Sequence, residues 1–526
     1  MNKMFKTLSS LALALVLLVA LAIPAFAAET YTVTIDSDTT GHIYEAYQIF
    51  AGDLSEGILS NVTWGSGVDG VALLSALKAD ATVGTTFATA TSAAAVAVAL
   101  DGAANDSAAA KAFAAVAGQH LTTATGTSSE AAGPYTIQGL PAGYYLVKDK
   151  NGSQNGEDEA YTRFVLQVVE DVSATPKAST PTVEKKVKEN DQYTADGGYG
   201  VGYNDAADYN IGDSVPFKLI GTLPSTYADY SSYSYTFHDT LSSGLTYNYD
   251  AKVFVDGTEI TSSATVTGGD HALTVKFDNL KAIPGVTITS ASKITVEYTA
   301  TLNKGAEIGL DGNTNEVYLE YSNNPNPGGE GNTGETPKDK VIVFTYELDV
   351  TKVDGAEITK LLGGAEFQLT NAAGKYAQVG TDGVLTGWTT DAAAATTLIS
   401  AADTGLFKVI GLDDGIYTLT ETKAPAGYNK LENPVEVMID ATTANSQTWG
   451  GVAANALTAL TVTADTKAGN TDLTGGVASI SIANNKGATL PATGGVGTTI
   501  FYVVGGVLML GAVILLVTKK RIGGKD

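Results

Sequence analysis

Short runs that alternate apolar and polar side chains recur along most of this chain. Three examples are residues 31–35 (YTVTI), 293–302 (KITVEYTATL) and 416–421 (IYTLTE). Because successive side chains of a strand point to opposite faces, each run predicts a β-strand with one buried face. Turn residues bound the runs, so the pattern predicts a chain of all-β domains.

One stretch has the spacing of helices instead. Residues 71–118 are rich in alanine, and segments such as VALLSALKAD and SAAAVAVAL repeat apolar residues at helical intervals. We predict one or two short helices here, inserted in the first β domain.

Two long apolar segments lie near the chain ends. Residues 8–23 follow two lysines and precede small residues, which predicts a secretory signal peptide, 1–27, cut after Ala27. Residues 500–517 carry no charge and are long enough to cross most of a ~30 Å bilayer core as a helix. Lys519, Lys520 and Arg521 follow directly, which places the tail inside the cell.

Linkers divide the region between these segments. Residues 174–182 hold prolines and small polar residues, and residues 323–339 form a Gly/Pro-rich loop. Residues 340–353 read as one long strand that closes one domain and opens the next. The predicted organisation is an N-terminal domain 28–173, a linker 174–182, a middle domain 183–345, a C-terminal domain 346–487 and a terminal segment 488–526.

Composition excludes several kinds of chemistry. The chain has no cysteine, so an exported protein of this sequence uses neither disulfides nor a cysteine nucleophile. Its four histidines are scattered without metal-ligand spacing, and we expect no metal and no cofactor. The net charge of −25 argues against a nucleic-acid partner. A surface hydrolase is a weak hypothesis, because no nucleophile or paired-carboxylate cleft is evident.

Three strands of the C-terminal domain each carry one polar residue on an apolar face, namely Lys352, Glu421 and Asn484. A lone buried charge is costly, so these groups should meet. Burial lowers a lysine pKa and raises a glutamate pKa. A protonated Glu421 then hydrogen-bonds the Asn484 carbonyl while neutral Lys352 attacks it, ammonia leaves, and an isopeptide bond remains. The alternatives are a buried salt bridge with a hydrogen-bonded asparagine, or Asn485 in place of Asn484.

The sequence around Glu421 also resembles a known family. Residues 417–428 (YTLTETKAPAGY) look like the E-box of collagen-adhesin B-type domains in Gram-positive pilins. The resemblance implies tandem immunoglobulin-like β-sandwiches. It also implies that Lys352 and Asn484 form the bond with Glu421 as the catalytic acid and base.

The middle domain offers a similar set, Lys185, Asp239 and Asn315. It resembles the other collagen-adhesin-like pilin domain, in which aspartate often replaces glutamate, and this implies a Lys185–Asn315 bond with Asp239 as catalyst. Lys186 is an adjacent alternative, and a surface lysine with a turn-forming aspartate remains open. The first domain has Asp149 at the matching position of a weak internal repeat (139–149 and 411–421), but lacks partners, so no bond is predicted there.

A pentapeptide precedes the C-terminal apolar segment. Leu490, Pro491, Thr493 and Gly494 belong to LPATG, and its place before an apolar run and a basic tail resembles the sorting signal of Gram-positive surface proteins. The resemblance implies that a sortase cuts between Thr493 and Gly494. The alternative is a loop before an ordinary membrane anchor.

Lys177 follows Pro176 in the linker, where shaft pilins carry their pilin-motif lysine, often as Tyr-Pro-Lys; this chain has Thr-Pro-Lys. The resemblance implies a major shaft pilin: a class C sortase substrate, not a turnover enzyme, in which Thr493 of one subunit is joined to Lys177 of another. Implied partners are identical subunits, tip or basal pilins, peptidoglycan through a housekeeping sortase, and host surface ligands. A monomeric wall-anchored adhesin and a minor pilin are the alternatives.

Overall fold

The computed structural model describes residues 29–103, 107–154, 156, 158–190, 202–443, 449–487 and 496–522, with only the backbone of 496–498 and 522. The predicted signal peptide and the predicted sorting residues Leu490, Pro491, Thr493 and Gly494 lie outside the described residues.

The N-terminal part forms two sheets, one of order β5-β1-β8 and one of order β3-β2-β6-β7, with β4 paired to β2. Its strands are β1 (Thr30–Ile35), β2 (Tyr44–Ser55), β3 (Ile58–Trp64), β4 (Gly126–Thr127), β5 (Tyr135–Pro141), β6 (Gly143–Asp149), β7 (Arg163–Val168) and β8 (Val172–Ala174).

The described residues between β3 and β4 form four α-helices, so the prediction of one or two was wrong. They are α1 (Gly70–Ala79), α2 (Gly84–Phe87), α3 (Ala93–Leu100) and α4 (Ala108–Gly118). Asp69 caps the start of α1, and within the alanine-rich run the side chains of Ser92 and Ser107 cap the new starts of α3 and α4. The helices bury a separate apolar cluster around Phe87 and Phe113.

The middle part is a sandwich of two seven-stranded sheets. One runs β10-β9-β12-β19-β15-β16 with β14 on β19, and the other β11-β22-β20-β13-β18-β17 with β21 on β20. Their strands are β9 (Val183–Lys188), β10 (Tyr203–Asn204), β11 (Ala206–Asp208), β12 (Ser214–Gly221), β13 (Tyr235–Leu241), β14 (Leu245–Tyr247), β15 (Lys252–Val255), β16 (Thr258–Glu259), β17 (Thr265–Gly269), β18 (Ala272–Phe277), β19 (Ile294–Leu302), β20 (Asn313–Ser322), β21 (Thr333–Glu335) and β22 (Asp339–Phe344).

The C-terminal part packs a four-stranded sheet, β28-β23-β34-β33, on an eight-stranded one, β26-β25-β24-β29-β30-β31-β32 with β27 on β24. Its elements are β23 (Tyr346–Asp354), β24 (Glu366–Asn371), β25 (Tyr376–Val379), β26 (Leu385–Thr389), β27 (Leu398–Ile399), β28 (Leu406–Leu412), β29 (Gly415–Lys423), β30 (Val435–Thr443), α5 (Ala453–Ala456), β31 (Leu457–Ala464), β32 (Lys467–Ala468), β33 (Asn470–Asp472) and β34 (Val477–Asn484).

Two sequence features coincide with changes of sheet. The run 340–353 is broken at Thr345, with β22 in the middle part and β23 in the C-terminal part. The repeat 139–149 and 411–421 marks, in each case, the corner at which the chain leaves one sheet for the facing one, from β5 to β6 and from β28 to β29. Sheet membership thus separates three sandwich-like units, and the domain boundaries given above stay predictions.

A last helix, α6 (Val496–Ile522), follows the sandwiches. Residues 499–521 have a mean hydropathy of 2.7 and are not buried by the rest of the protein. Its last turn carries the three basic residues. By length and composition, this helix is suited to cross a membrane.

Candidate functional site

In the C-terminal domain the three predicted residues meet between the two sheets. Lys352 and Asn484 come from neighbouring parallel strands of one sheet, β23 and β34, and Glu421 comes from β29 of the facing sheet. All three side chains are almost fully buried, at 0%, 1% and 2% exposure respectively. Their faces follow from strand alternation, which puts Leu348, Val350 and Lys352 on the same side.

The contacts around Asn484 are specific. Its Nδ2 donates to Glu421 Oε2 at 2.9 Å and to the Asn429 carbonyl at 2.6 Å. We expected Glu421 to bond the carbonyl oxygen of Asn484; the structure instead places the carboxylate on the amide nitrogen. Leu431 N also donates to Glu421 Oε2, at 2.7 Å, and so fixes the carboxylate. Asn485 is exposed and takes no part in the cluster.

Lys352 approaches the same carboxylate. Its Nζ lies 4.0 Å from Glu421 Oε1 and donates to the Ile482 carbonyl at 2.9 Å. Burial lowers the pKa of Lys352 from its usual value to about 8, and the nearby Glu421 opposes that shift. Within the described residues, Glu421 Oε1 and Asn484 Oδ1 are buried without a hydrogen-bond partner. The cluster thus combines a buried amine, an amide and a carboxylate.

In the middle domain the set spans both sheets. Lys185 lies on β9 of one sheet, and Asp239 and Asn315 lie on adjacent strands β13 and β20 of the other. The Lys185 ammonium contacts Asp239 Oδ2 directly. Burial lowers the pKa of Lys185 and raises that of Asp239, while each partner's charge opposes the other's shift. Burial thus shifts both groups toward their neutral forms.

A fourth residue, which the sequence did not single out, completes this cluster. The Tyr298 hydroxyl accepts from Lys185 Nζ at 2.9 Å and from Asn315 Nδ2 at 2.7 Å, and donates to Asp239 Oδ1 at 2.9 Å. The available signal was the alternation of 294–302, which turns Tyr298 inward with the apolar residues. A buried tyrosine hydroxyl needs a polar partner.

The alternative lysine of the middle domain is also buried but points elsewhere. Lys186 Nζ lies 2.6 Å from Asp205 Oδ1, and Asp205 Oδ2 accepts from the backbone of Trp449 in the C-terminal domain. This pair joins the two domains. It lies on the opposite face of β9 from Lys185.

In the first domain Asp149 is engaged differently. Its Oδ1 lies 2.7 Å from His42 Nδ1, and its Oδ2 accepts from the backbone and hydroxyl of Thr162. A histidine and a threonine therefore satisfy the carboxylate that matches Glu421 in the repeat. The absence of an internal bond in this domain stays a prediction.

One further carboxylate group lies between the middle and C-terminal domains. Asp208, Asp413 and Asp414 are buried with ligand oxygens within 4.8 Å of one another. Burial, reinforced by Asp208, raises the pKa of Asp413 well above its usual value. Tyr346 donates to Asp208 at 2.8 Å and Asn190 to Asp413 at 2.8 Å. Spacing alone would let these oxygens hold a cation, and the expectation of no metal stays a prediction.

Lys177 lies between β8 and β9 and is exposed. It borders a cavity of about 760 Å³ between the first and middle domains, whose lining includes Arg163, Phe164 and Asp229. The segment around it belongs to no strand or helix. The linker lysine is thus exposed at the surface, whereas Lys185 and Lys352 are buried.

Family models match parts of the two domains that contain the buried lysine clusters. A model described as SpaA, prealbumin-like fold domain, matches residues 346–451. A second, described as Gram-positive pilin backbone subunit 2, Cna-B-like domain, matches residues 211–325. Residues 211–325 and 346–451 are thus similar to domains of Gram-positive backbone pilins. A model for the LPXTG cell wall anchor motif matches residues 482–522, which makes this chain a cell-wall-anchored surface protein.

Similar proteins include a streptococcal surface protein and pilins of known structure. This chain is 23% identical over 380 residues to the trypsin-resistant surface T6 protein of Streptococcus pyogenes serotype M6, across 59% of this chain and 65% of that protein, just under two thirds of its length. It is similar in fold to the T6 backbone pilin structure, with a TM-score of 0.52 and 17% identity over 88% of this chain and 99% of that one. The major pilin SpaD of Corynebacterium diphtheriae is also similar, with a TM-score of 0.47 and 18% identity over 88% and 98%.

The predictions of a β-sandwich fold, a pilin family and a wall-anchor signal are confirmed by these matches. The roles of individual residues are not tested by them. Lys352, Glu421, Asn484, Lys185, Asp239, Asn315 and Lys177 keep their predicted roles as proposals.

Proposed function

We propose that this chain is the shaft subunit of a covalent surface pilus. A class C sortase cleaves after Thr493 and holds it as a thioester, with Gly494 leaving as the new amino terminus. Lys177 of a second subunit attacks the thioester carbon, and the enzyme thiol is released. Repetition builds the fibre, and a housekeeping sortase joins its base to peptidoglycan.

The observation that carries this proposal is the contrast between Lys177 and the buried lysines. An incoming enzyme can reach only an amine at the surface, and Lys177 is exposed in the segment between two domains. Lys185 and Lys352 are fully buried and are therefore reserved for chemistry within the subunit. Tip or basal pilins and host surface ligands are further partners of this proposal.

The second part of the proposal is that each buried cluster forms an isopeptide bond, Lys352 to Asn484 and Lys185 to Asn315. Glu421 and Asp239 serve as proton donor and acceptor. The contacts support this, because in each cluster a lysine with a lowered pKa lies near a carboxyl group. Glu421 contacts the amide of Asn484 directly, and Asp239 is linked to the amide of Asn315 through Tyr298. A covalent tie within each domain would maintain the fibre under force and against proteases.

Polymerisation is tested by expressing the full chain with its sortase and examining wall extracts on denaturing gels. The native chain should give a high-mass ladder, and Lys177→Ala should give a single monomer band. Lys150→Ala, which removes another exposed lysine of the first domain, is the matched control and should keep the ladder.

A ladder that persists in Lys177→Ala would overturn the role of this lysine. A single band in the native chain would favour the alternative, a monomeric wall-anchored adhesin.

A further inference from the structure

We propose that the Tyr298 hydroxyl carries a proton between Asp239 and the leaving nitrogen of Asn315 when the middle domain forms its internal bond. This inference rests on the Lys185–Asn315 bond proposed above. It adds a catalytic residue to that reaction.

The geometry makes Tyr298 the hub of the cluster. Its hydroxyl contacts the attacking nitrogen of Lys185 at 2.9 Å, the acid–base Asp239 at 2.9 Å and the leaving nitrogen of Asn315 at 2.7 Å. A hydroxyl both accepts and donates, so it can pass one proton on while receiving another. This one hydroxyl therefore connects the attacking nitrogen, the acid and the leaving nitrogen.

Strand register explains why Asp239 needs this help. Asp239 is paired with Val317 across β13 and β20, whereas Asn315 is paired with Leu241. Asp239 and Asn315 are therefore diagonal neighbours, whose Cα atoms lie roughly 7–8 Å apart. Both Asp239 oxygens are used, one by Lys185 and one by Tyr298. The tyrosine spans the distance between carboxyl and amide.

In the C-terminal domain the acid contacts the amide without an intervening tyrosine. There Glu421 Oε2 meets Asn484 Nδ2 directly at 2.9 Å. Glutamate is one methylene longer than aspartate. In the middle domain the shorter Asp239 is connected to the amide nitrogen through Tyr298, as Glu421 is connected to its amide nitrogen directly.

Packing holds the hydroxyl in place and keeps water out. Tyr298 is 3% exposed, and its ring stacks on Phe217 at 5.5 Å and meets Tyr247 edge-on at 5.6 Å between centroids. Lys185, Asp239 and Asn315 are at most 2% exposed. Because bulk water has little access, a fixed side chain is the available proton carrier.

The reaction balances with these groups alone. It starts with Lys185 neutral and Asp239 protonated on Oδ1. In this state Oδ1 donates to the Tyr298 oxygen, and the Tyr298 hydroxyl hydrogen is turned to Nδ2 of Asn315. Nζ of Lys185 attacks Cγ of Asn315, and in one step Nζ gives a proton to Asp239 Oδ2, the Oδ1 proton passes to the Tyr298 oxygen, and the Tyr298 proton passes to Nδ2. The Cγ–Nδ2 bond breaks and ammonia leaves, with Tyr298 neutral again and Asp239 protonated on Oδ2 instead of Oδ1.

The test follows bond formation during refolding of the full-length chain. Denatured, unreacted chain from inclusion bodies is diluted to refold, sampled over time and digested, and the Lys185–Asn315 and Lys352–Asn484 cross-linked peptides are quantified by mass spectrometry. We expect Tyr298→Phe to slow the middle-domain bond at least ~100-fold, as for loss of a general acid–base step. The C-terminal bond of the same chain should form at the native rate.

Two further variants separate catalysis from packing. Tyr247→Phe removes a hydroxyl from the same core, one that accepts from the Ala251 backbone, and should leave the rate unchanged. Adding Asp239→Glu to Tyr298→Phe should restore bond formation at least ~10-fold over Tyr298→Phe, since the longer acid can reach Nδ2 as Glu421 does. A purely structural tyrosine would not be rescued in this way.

Outcomes distinguish this inference from the proposal beneath it. A native chain without the Lys185–Asn315 peptide would overturn the bond itself. A native chain with the bond, and Tyr298→Phe forming it equally fast, would overturn the relay alone. If Tyr298→Phe does not fold, the double variant decides: bond formation supports the relay, and a folded double variant without the bond contradicts it.

Discussion

In the middle domain Lys185 contacts its carboxyl partner directly, whereas in the C-terminal domain Lys352 Nζ and Glu421 Oε1 are 4.0 Å apart. The amide follows the opposite trend, because Glu421 touches Asn484 and Asp239 reaches Asn315 only through Tyr298. One acid is close to the proposed nucleophile, the other to the proposed leaving group. The proposed chemistry is thus compatible with two placements of the acid.

The sheets explain this difference. In the C-terminal domain Lys352 and Asn484 lie on adjacent parallel strands of one sheet, and the acid comes from the facing sheet. In the middle domain the acid and the amide share a sheet, and the lysine comes from the facing one. The acid therefore lies opposite the amide in one case and diagonal to it in the other.

The largest expected effect is the loss of one bond when its acid is replaced. Glu421→Gln should abolish the C-terminal bond and Asp239→Asn the middle-domain bond, each without affecting the other. Intact mass of the native chain should be lower by two ammonia molecules, and of each variant by one. Losing a cross-link that closes more than about 100 residues should destabilise that domain by ~5 kcal/mol in thermal unfolding.

Glu432→Gln, at an exposed position near the C-terminal cluster, is the control and should keep both bonds. A native mass equal to the plain sequence would contradict both bonds. A single-acid variant that loses both would contradict the independence of the two sites.

The next effect concerns pH, because the two lysines lose their protons by different routes. Burial brings the pKa of Lys352 down to about 8, and the C-terminal bond needs its neutral form. Its rate during refolding should therefore rise about tenfold per pH unit up to pH 8 and then level off. In the middle domain the proton passes within the Lys185–Asp239 contact, so the rate should vary less over pH 6 to 8.

These rates are measured on denatured, unreacted chain refolded at each pH, with both cross-linked peptides counted in the same sample. The native chain is its own control, since the two bonds share every other condition. Parallel pH profiles would remove this distinction between the sites.

The smallest expected effect concerns which of the two adjacent asparagines, Asn484 or Asn485, forms the bond. Asn485→Ala should leave the C-terminal bond and its rate unchanged, because Asn485 is exposed. Asn484→Ala, at the buried neighbouring position, should eliminate the bond. Peptide mapping of the two variants checks this, and a cross-link to residue 485 in Asn484→Ala would show that the strand can shift its register.

Much of the architecture follows from pattern. Alternation along 416–421 turned Tyr417, Leu419 and Glu421 to one face, and the structure buries all three. The helical insert was harder to predict, since alanine-rich runs give little indication of where they break, and the side-chain caps Ser92 and Ser107 start new helices within this one. Tyr298 escaped notice because an inward tyrosine in an apolar run looks like ordinary core.

Sequence alone determined which residues face inward and that the C-terminal segment carries a wall-anchor signal, because side-chain alternation and apolar length are local properties. It placed Lys185, Asp239 and Asn315 on inner faces. Only the tertiary structure decided which atoms meet, because register between strands distant in the chain sets Asp239 diagonal to Asn315 and brings Tyr298 between them. Contacts of that kind depend on pairing across sheets, which no local pattern encodes.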